Sequence, residues 1–102
     1  MKILRFYYTD TEEDIESIPC SRINSLLYTA ESGCLSFSDE SCGDILELTV
    51  KEGEEDILKN LERDLVKFLA DENTNKNIFN LSITLDEDEY VKELSWEIVS
   101  TL

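Results

Sequence analysis

One stretch of this 102-residue chain carries a helical period more clearly than any other; elsewhere apolar residues recur mainly at every second position. Over about 54–71, Ile57, Leu58, Leu61, Leu65, Phe68 and Leu69 fall on one face of a helix. Glu54, Glu55 and Asp56 stand at its start, where the helix dipole favours negative charge, and Lys59, Arg63 and Lys67 form a row on the side left for solvent. A single amphipathic helix of this kind has one apolar face to bury, and strands before and after it must supply the partner surface.

The strands show as alternation. Residues 2–9 are aromatic and β-branched and read as a first strand. Leu46, Leu48 and Val50 alternate with Glu47, Thr49 and Lys51, and Phe79, Leu81, Ile83 and Leu85 alternate with Asn80, Ser82 and Thr84. Residues 22–29 fit a strand ending at Thr29, or a short helix with Ile23, Leu26 and Leu27 on one face. The strand is preferred, because Ala30 to Gly33 then turns the chain into a strand over Cys34 to Ser38. The last segment reads as a strand through Leu94, Trp96 and Ile98, in a hairpin with 78–85; a C-terminal helix over 87–101 is the alternative. Residues 10–19 read as a loop or a short helical turn, and 71–77 as a polar connection. Gly33, Gly43 and Gly53 each stand where a strand should begin or end, which suits a meander. The expectation is a single α+β domain over 1–102, with a mostly antiparallel sheet of five to six strands and the helix packed on one face.

Charge narrows the function. Asp and Glu number 24 against 9 Lys and Arg with no His, a formal net charge of −15. Self-repulsion of this size works against a compact body, while the 41% hydrophobic content is that of a folded protein rather than a disordered acidic tail. Such a body repels phosphate, which counts against direct binding of nucleic acid or an anionic membrane. No apolar run approaches the roughly 20 residues of a membrane span, and the start of the chain does not resemble a signal peptide, so the expected location is the cytoplasm. Cys20, Cys34 and Cys42 are odd in number, lack CxxC spacing and have no His to complete a zinc site; they read as reduced thiols.

Catalysis has little to stand on in the sequence. There is no His to serve as a base near neutral pH, no GxSxG and no Gly-rich phosphate loop. Asp86-Glu87-Asp88-Glu89 opens like an EF-hand loop, with Asp86, Asp88 and Glu97 at positions 1, 3 and 12. Tyr90 then falls at position 5 and Val91 at position 6, where the turn needs Gly, so the match fails. No catalytic residue, cofactor or metal ligand is assigned, and an enzyme is not expected.

What remains is the grouping of the acids. Residues 10–16 hold Asp10, Glu12, Glu13, Asp14 and Glu16 without a base. Residues 39–56 hold Asp39, Glu40, Asp44, Glu47, Glu52, Glu54, Glu55 and Asp56 against Lys51 alone, and Asp86, Glu87, Asp88 and Glu89 are consecutive. Carboxylates two residues apart on a strand are separated by roughly 6.5–7 Å, close to the phosphate spacing along one nucleic-acid strand. A surface studded in this way can occupy a groove built for phosphates, with the partner's Arg and Lys pairing to carboxylates. The candidate partner-binding residues are therefore Asp10, Glu12, Glu13, Asp14, Glu16, Asp39, Glu40, Asp44, Glu47, Asp86, Glu87, Asp88 and Glu89.

In length, in these clusters, in the absence of His and in its α+β pattern, the whole chain resembles the small acidic inhibitors of phages and mobile elements, including DNA-mimic and anti-CRISPR proteins. Those inhibitors share no motif, so the resemblance transfers no residue. It implies a basic protein partner such as a CRISPR effector or another nucleic-acid enzyme, blocked at its nucleic-acid-binding surface in the host cytoplasm. Two other readings stand beside it. One is an immunity protein against a basic nuclease toxin. The other is a structural or regulatory subunit, including a homodimer, joined through an apolar patch such as one at Tyr7, Tyr8 or Trp96, with acidity serving solubility.

Overall fold

The helix forms where its period lies, as α1 over Asp56–Ala70, in a computed structural model that describes residues 1–11, 14–39, 43–71 and 75–100. Its buried residues are Leu58, Leu61, Leu65 and Phe68, while Lys59, Arg63 and Lys67 are exposed. The last turn is closed from across the fold. Lys2 sends its ammonium to the carbonyls of Phe68, Leu69 and Asp71, placing a cation on the negative end of the helix.

Among the described residues seven strands accompany the helix: β1 Ile3–Tyr8, β2 Glu16–Pro19, β3 Ser25–Thr29, β4 Cys34–Asp39, β5 Gly43–Thr49, β6 Ile78–Leu85 and β7 Val91–Val99. Both segments that were ambiguous between strand and helix, 22–29 and 87–101, contain strands, and β7 makes the expected hairpin with β6. The α+β class and the mostly antiparallel pairing hold, and three details go beyond that expectation. The strands divide into two sheets rather than one, a four-stranded sheet in the order β2-β1-β6-β7 and a three-stranded meander β3-β4-β5. β1 pairs in parallel with β6, so the four-stranded sheet is mixed. Residues 10–19, expected as loop or helical turn, hold a 3-10 turn at Thr9–Thr11 and then β2, which is antiparallel to β1. β2 is short and on an edge, with Ile18 as its buried contribution, so it carries almost no alternation to read.

Both sheets turn an apolar face inward and α1 fills the space they share. Leu4, Phe6, Phe79, Leu81 and Ile83 from the four-stranded sheet join Leu35, Phe37, Leu46 and Leu48 from the meander and the buried helix residues in one core. Phe79 lies between Phe68 of α1 and Trp96 of β7, with ring centroids 5.6 and 6.4 Å away. Gly33 closes the β3–β4 turn at φ +61°, and its carbonyl accepts the Val50 N–H at 2.9 Å. A Cβ there would sit 3.1 Å from the Val50 oxygen, so this turn needs Gly both for its backbone angle and for space.

The register gives the molecule two ends. β1 and β6 both finish at one end, where Thr9 and Thr84 hydroxyls meet at 2.9 Å and β7 begins. Lys51, just past β5, reaches Asp86 at that end, and Val50 binds the 30–33 turn there. At the opposite end lie the N-terminus, the last turn of α1 and the start of β3, tied by Lys2 and by the Asn24 N–H to the Ser38 carbonyl.

Candidate binding surface

Acids that are far apart in sequence meet at the first of these ends. Asp10 lies in the 3-10 turn that continues β1, Asp14 follows it with its N–H donated to the Thr11 carbonyl, and Glu16 opens β2; all three side chains are exposed. Burial, reinforced by the negative charge of Glu16, raises the Tyr8 hydroxyl above its ordinary pKa. Beside them is the 86–90 turn joining β6 to β7, with Glu87, Asp88 and Glu89 exposed. The 50–56 connection brings Glu52, Glu54, Glu55 and Asp56 to the same end, and the β3–β4 turn brings Glu31.

The 86–90 turn has a defined local cause. Asp86 Oδ1 accepts the N–H groups of Asp88 (2.9 Å) and Tyr90 (3.0 Å), and the Asp86 N–H donates to the Tyr90 carbonyl at 2.8 Å. Glu89 takes a left-handed conformation, φ +66°, to close it. The other Asp86 oxygen pairs with Lys51 at 3.2 Å, and the Lys51 ammonium lies 5.9 Å from the centre of the Tyr90 ring. Desolvation pushes the Asp86 carboxyl up, but the Tyr90 N–H, Lys51 and the Asp88 N–H outweigh it and hold the group below its ordinary value. Lys51 shifts in the complementary direction: its hydrogen bond and charge contact with Asp86, aided by Asp88 and Glu54, raise its pKa.

Lys51 is thus a pin that joins the meander to the 86–90 turn, and it is the base within these acidic segments. Beside it an open hollow of about 610 Å³ is lined by Glu31, Thr49, Lys51, Glu52, Glu55 and Tyr90. Glu55 accepts the Gly53 N–H at 3.1 Å; its own backbone N–H first, and then this bond, lower its pKa. The start of α1 also points here, and the partial positive charge of its free N–H groups favours the acids gathered around it. Two apolar side chains stand exposed at this end, Ile15 and Tyr90.

The cluster over 39–56 does not stay together. Its second half joins the acidic end, while Asp39 and Asp44 lie at the opposite end, where β4 turns into β5. Asp39 is buried and bound by Arg22, whose Nε donates to Oδ2 at 2.9 Å, so it belongs to the interior rather than to a binding face. Glu47 is exposed on the outer face of the meander, where its carboxylate accepts the Cys34 thiol at 3.4 Å. Burial raises the Cys34 thiol above its usual value and Glu47 adds to that; burial also raises Cys20. The expected partner-binding residues Glu12, Glu13 and Glu40, together with Cys42, lie outside the described residues.

Sequence reading left Glu31 and Tyr90 out of the candidate set. Glu31 stands apart from any acidic run, and only the β3–β4 turn carries it to this end; Tyr90 entered the sequence reading only as a residue that breaks the EF-hand pattern. Among the described residues no group of His, Cys, Asp or Glu is arranged to hold a metal ion, and no helix is long and apolar enough to cross a membrane. No model of a protein family, no curated protein and no solved structure matches the chain.

Proposed function

We propose that this protein binds a basic surface of a nucleic-acid-processing enzyme, such as a CRISPR effector, through its acidic end and keeps nucleic acid from that surface. The observation that supports this is the convergence of Asp10, Asp14 and Glu16 with the 52–56 and 86–89 acids on one end, with Lys51 as the base among them. Carboxylates held on turns at the rims of two sheets present fixed negative charge over a broad front, the arrangement that Arg and Lys of a phosphate-binding channel would meet. The net charge of −15 also suits rapid association, since it draws the protein toward a cationic groove. An immunity protein against a basic nuclease would use the same end, and only the partner's identity separates the two.

The test is capture of partners from a bacterial lysate supplemented with nucleic-acid enzymes, washed at low and high salt and with competing DNA. One basic nucleic-acid-binding protein should be retained at low salt and released by either treatment. The fourfold reversal Glu52→Lys, Glu54→Lys, Glu87→Lys and Asp88→Lys should abolish that capture with the circular dichroism spectrum unchanged, because all four side chains are exposed. A partner that resists salt, or one that the fourfold variant still captures, would refute the reading. Reversal of Asp39 is not an equivalent test, because a Lys there would be buried beside Arg22.

A further inference from the structure

The longest strand of the fold, β7, is also an edge: in the order β2-β1-β6-β7 it pairs with β6, and among the described residues no strand pairs with its other side. An unpaired edge exposes a row of backbone donors and acceptors ready to accept another strand. Next to it, between β7 and the second half of α1, runs an open groove of about 720 Å³. Its apolar lining is Phe68, Trp96 and Ile98. Glu97 lines it too, although strand alternation puts Glu97 on the face opposite Trp96 and Ile98. Glu97 lies between Trp96 and Ile98 on β7, so the groove runs along this strand, next to its free backbone edge.

We infer that β7 is a strand-addition site for an extended peptide segment in which apolar and basic side chains alternate. The apolar half follows from the inner face, where Leu94, Trp96 and Ile98 are only half-buried and α1 leaves them partly open. Side chains of an added strand that point the same way would rest on Trp96 and Phe68. The basic half follows from the outer face, where Glu93 and Glu97 are exposed on either side of Ser95. Among the described residues neither Glu has an ion-pair partner in the chain. Cations at the facing positions of an added strand would make the cross-strand opposite-charge pairs these two lack. Lys67 and Lys76 also line the groove but stand with Asp64 and Asp71, so their charge is balanced, and the selective charge comes from the Glu93–Glu97 row. Main-chain bonds would provide affinity and the alternating side chains selectivity. The site is independent of the acidic end.

A fluorescent peptide of about seven residues with Lys and Val in strict alternation tests this, since that length spans a typical strand. Its partner probe has the same composition with the Val and Lys residues in separate blocks. Binding is followed by anisotropy at physiological ionic strength and by amide hydrogen exchange of the protein. The alternating peptide should bind at least about tenfold more tightly than the block peptide and protect amides within 91–99. The double variant Glu93→Lys with Glu97→Lys should weaken it by about tenfold or more, whereas Glu87→Lys with Asp88→Lys should leave that protection in place. Equal binding of the two peptides, protection confined to 86–90, or no binding of the alternating peptide would each overturn the inference.

Discussion

Phe79 and Leu27 are both large apolar residues on strands, yet the fold uses them in opposite ways, and truncating each to Ala makes the difference measurable. Phe79 is wholly buried in β6, with Phe68 and Trp96 on either side. Leu27 is 57% exposed on β3. Phe79→Ala removes a ring's worth of buried apolar surface and leaves a hole beneath the end of α1; core Phe→Ala changes typically cost about 3–5 kcal/mol, the aromatic contacts included. Against a typical domain stability of about 5–15 kcal/mol, such a loss removes a large share of the margin and should lower the urea midpoint sharply. Phe79→Leu keeps most of the volume and should cost distinctly less, leaving a folded protein on which to read the trend. Leu27→Ala should move stability by no more than about 0.5 kcal/mol. Urea denaturation followed by Trp96 fluorescence reads all three, since Trp96 reports on the packing that Phe79 supports. A loss below about 1.5 kcal/mol for Phe79→Ala, or a loss for Leu27→Ala as large as for Phe79→Leu, would refute this assignment of the core.

Two further outcomes test local structure. Glu89→Gly should stabilise by about 0.5 kcal/mol, because relief of the left-handed backbone at φ +66° exceeds the entropic cost of Gly in the unfolded chain; an unchanged or lower urea midpoint would argue against that turn geometry. Asp64 accepts the Trp96 indole N–H at 2.8 Å, and that bond, aided by Arg63 and Lys67, holds its carboxyl below the ordinary value of 3.8. Since the folded pKa is the lower one, the contribution to stability is complete above the unfolded value and is lost as pH falls through the folded value. The indole N–H resonance of Trp96 should therefore titrate with a midpoint below 3.8, and a midpoint at or above it would remove the carboxylate from this role.

Periodicity made the elements legible where one face is buried and the other wet. The helix at Asp56–Ala70 and the strand at Ile78–Leu85 follow directly from their apolar spacing, because burial on one face imposes the period of the backbone on the side chains. β3 and β7 were ambiguous because their apolar residues fit both periods; β7 settles as a strand by pairing with β6 along its length. β2 was not legible, since a four-residue edge strand ending at Pro19 needs only one buried side chain. The candidate surface was legible in composition and only partly in membership. Runs such as 86–89 stand on exposed turns as expected, whereas Asp39 points inward to Arg22 and Glu31 joins the acidic end from outside any run.

By itself the sequence determined the class of the fold, the place of its helix and the excess of negative charge, because these depend on local spacing and composition. Which strands pair was decided only by the tertiary structure: β1 and β6 lie side by side in parallel although more than half the chain separates them, and no local period encodes that partner. That pairing sets the ends of β1 and β6 together, and with Lys51 bridging to Asp86 it collects separate acidic turns into one surface. Charge is a property of the residues, but a charged face is made by the distances between them, and only long-range packing fixes those distances.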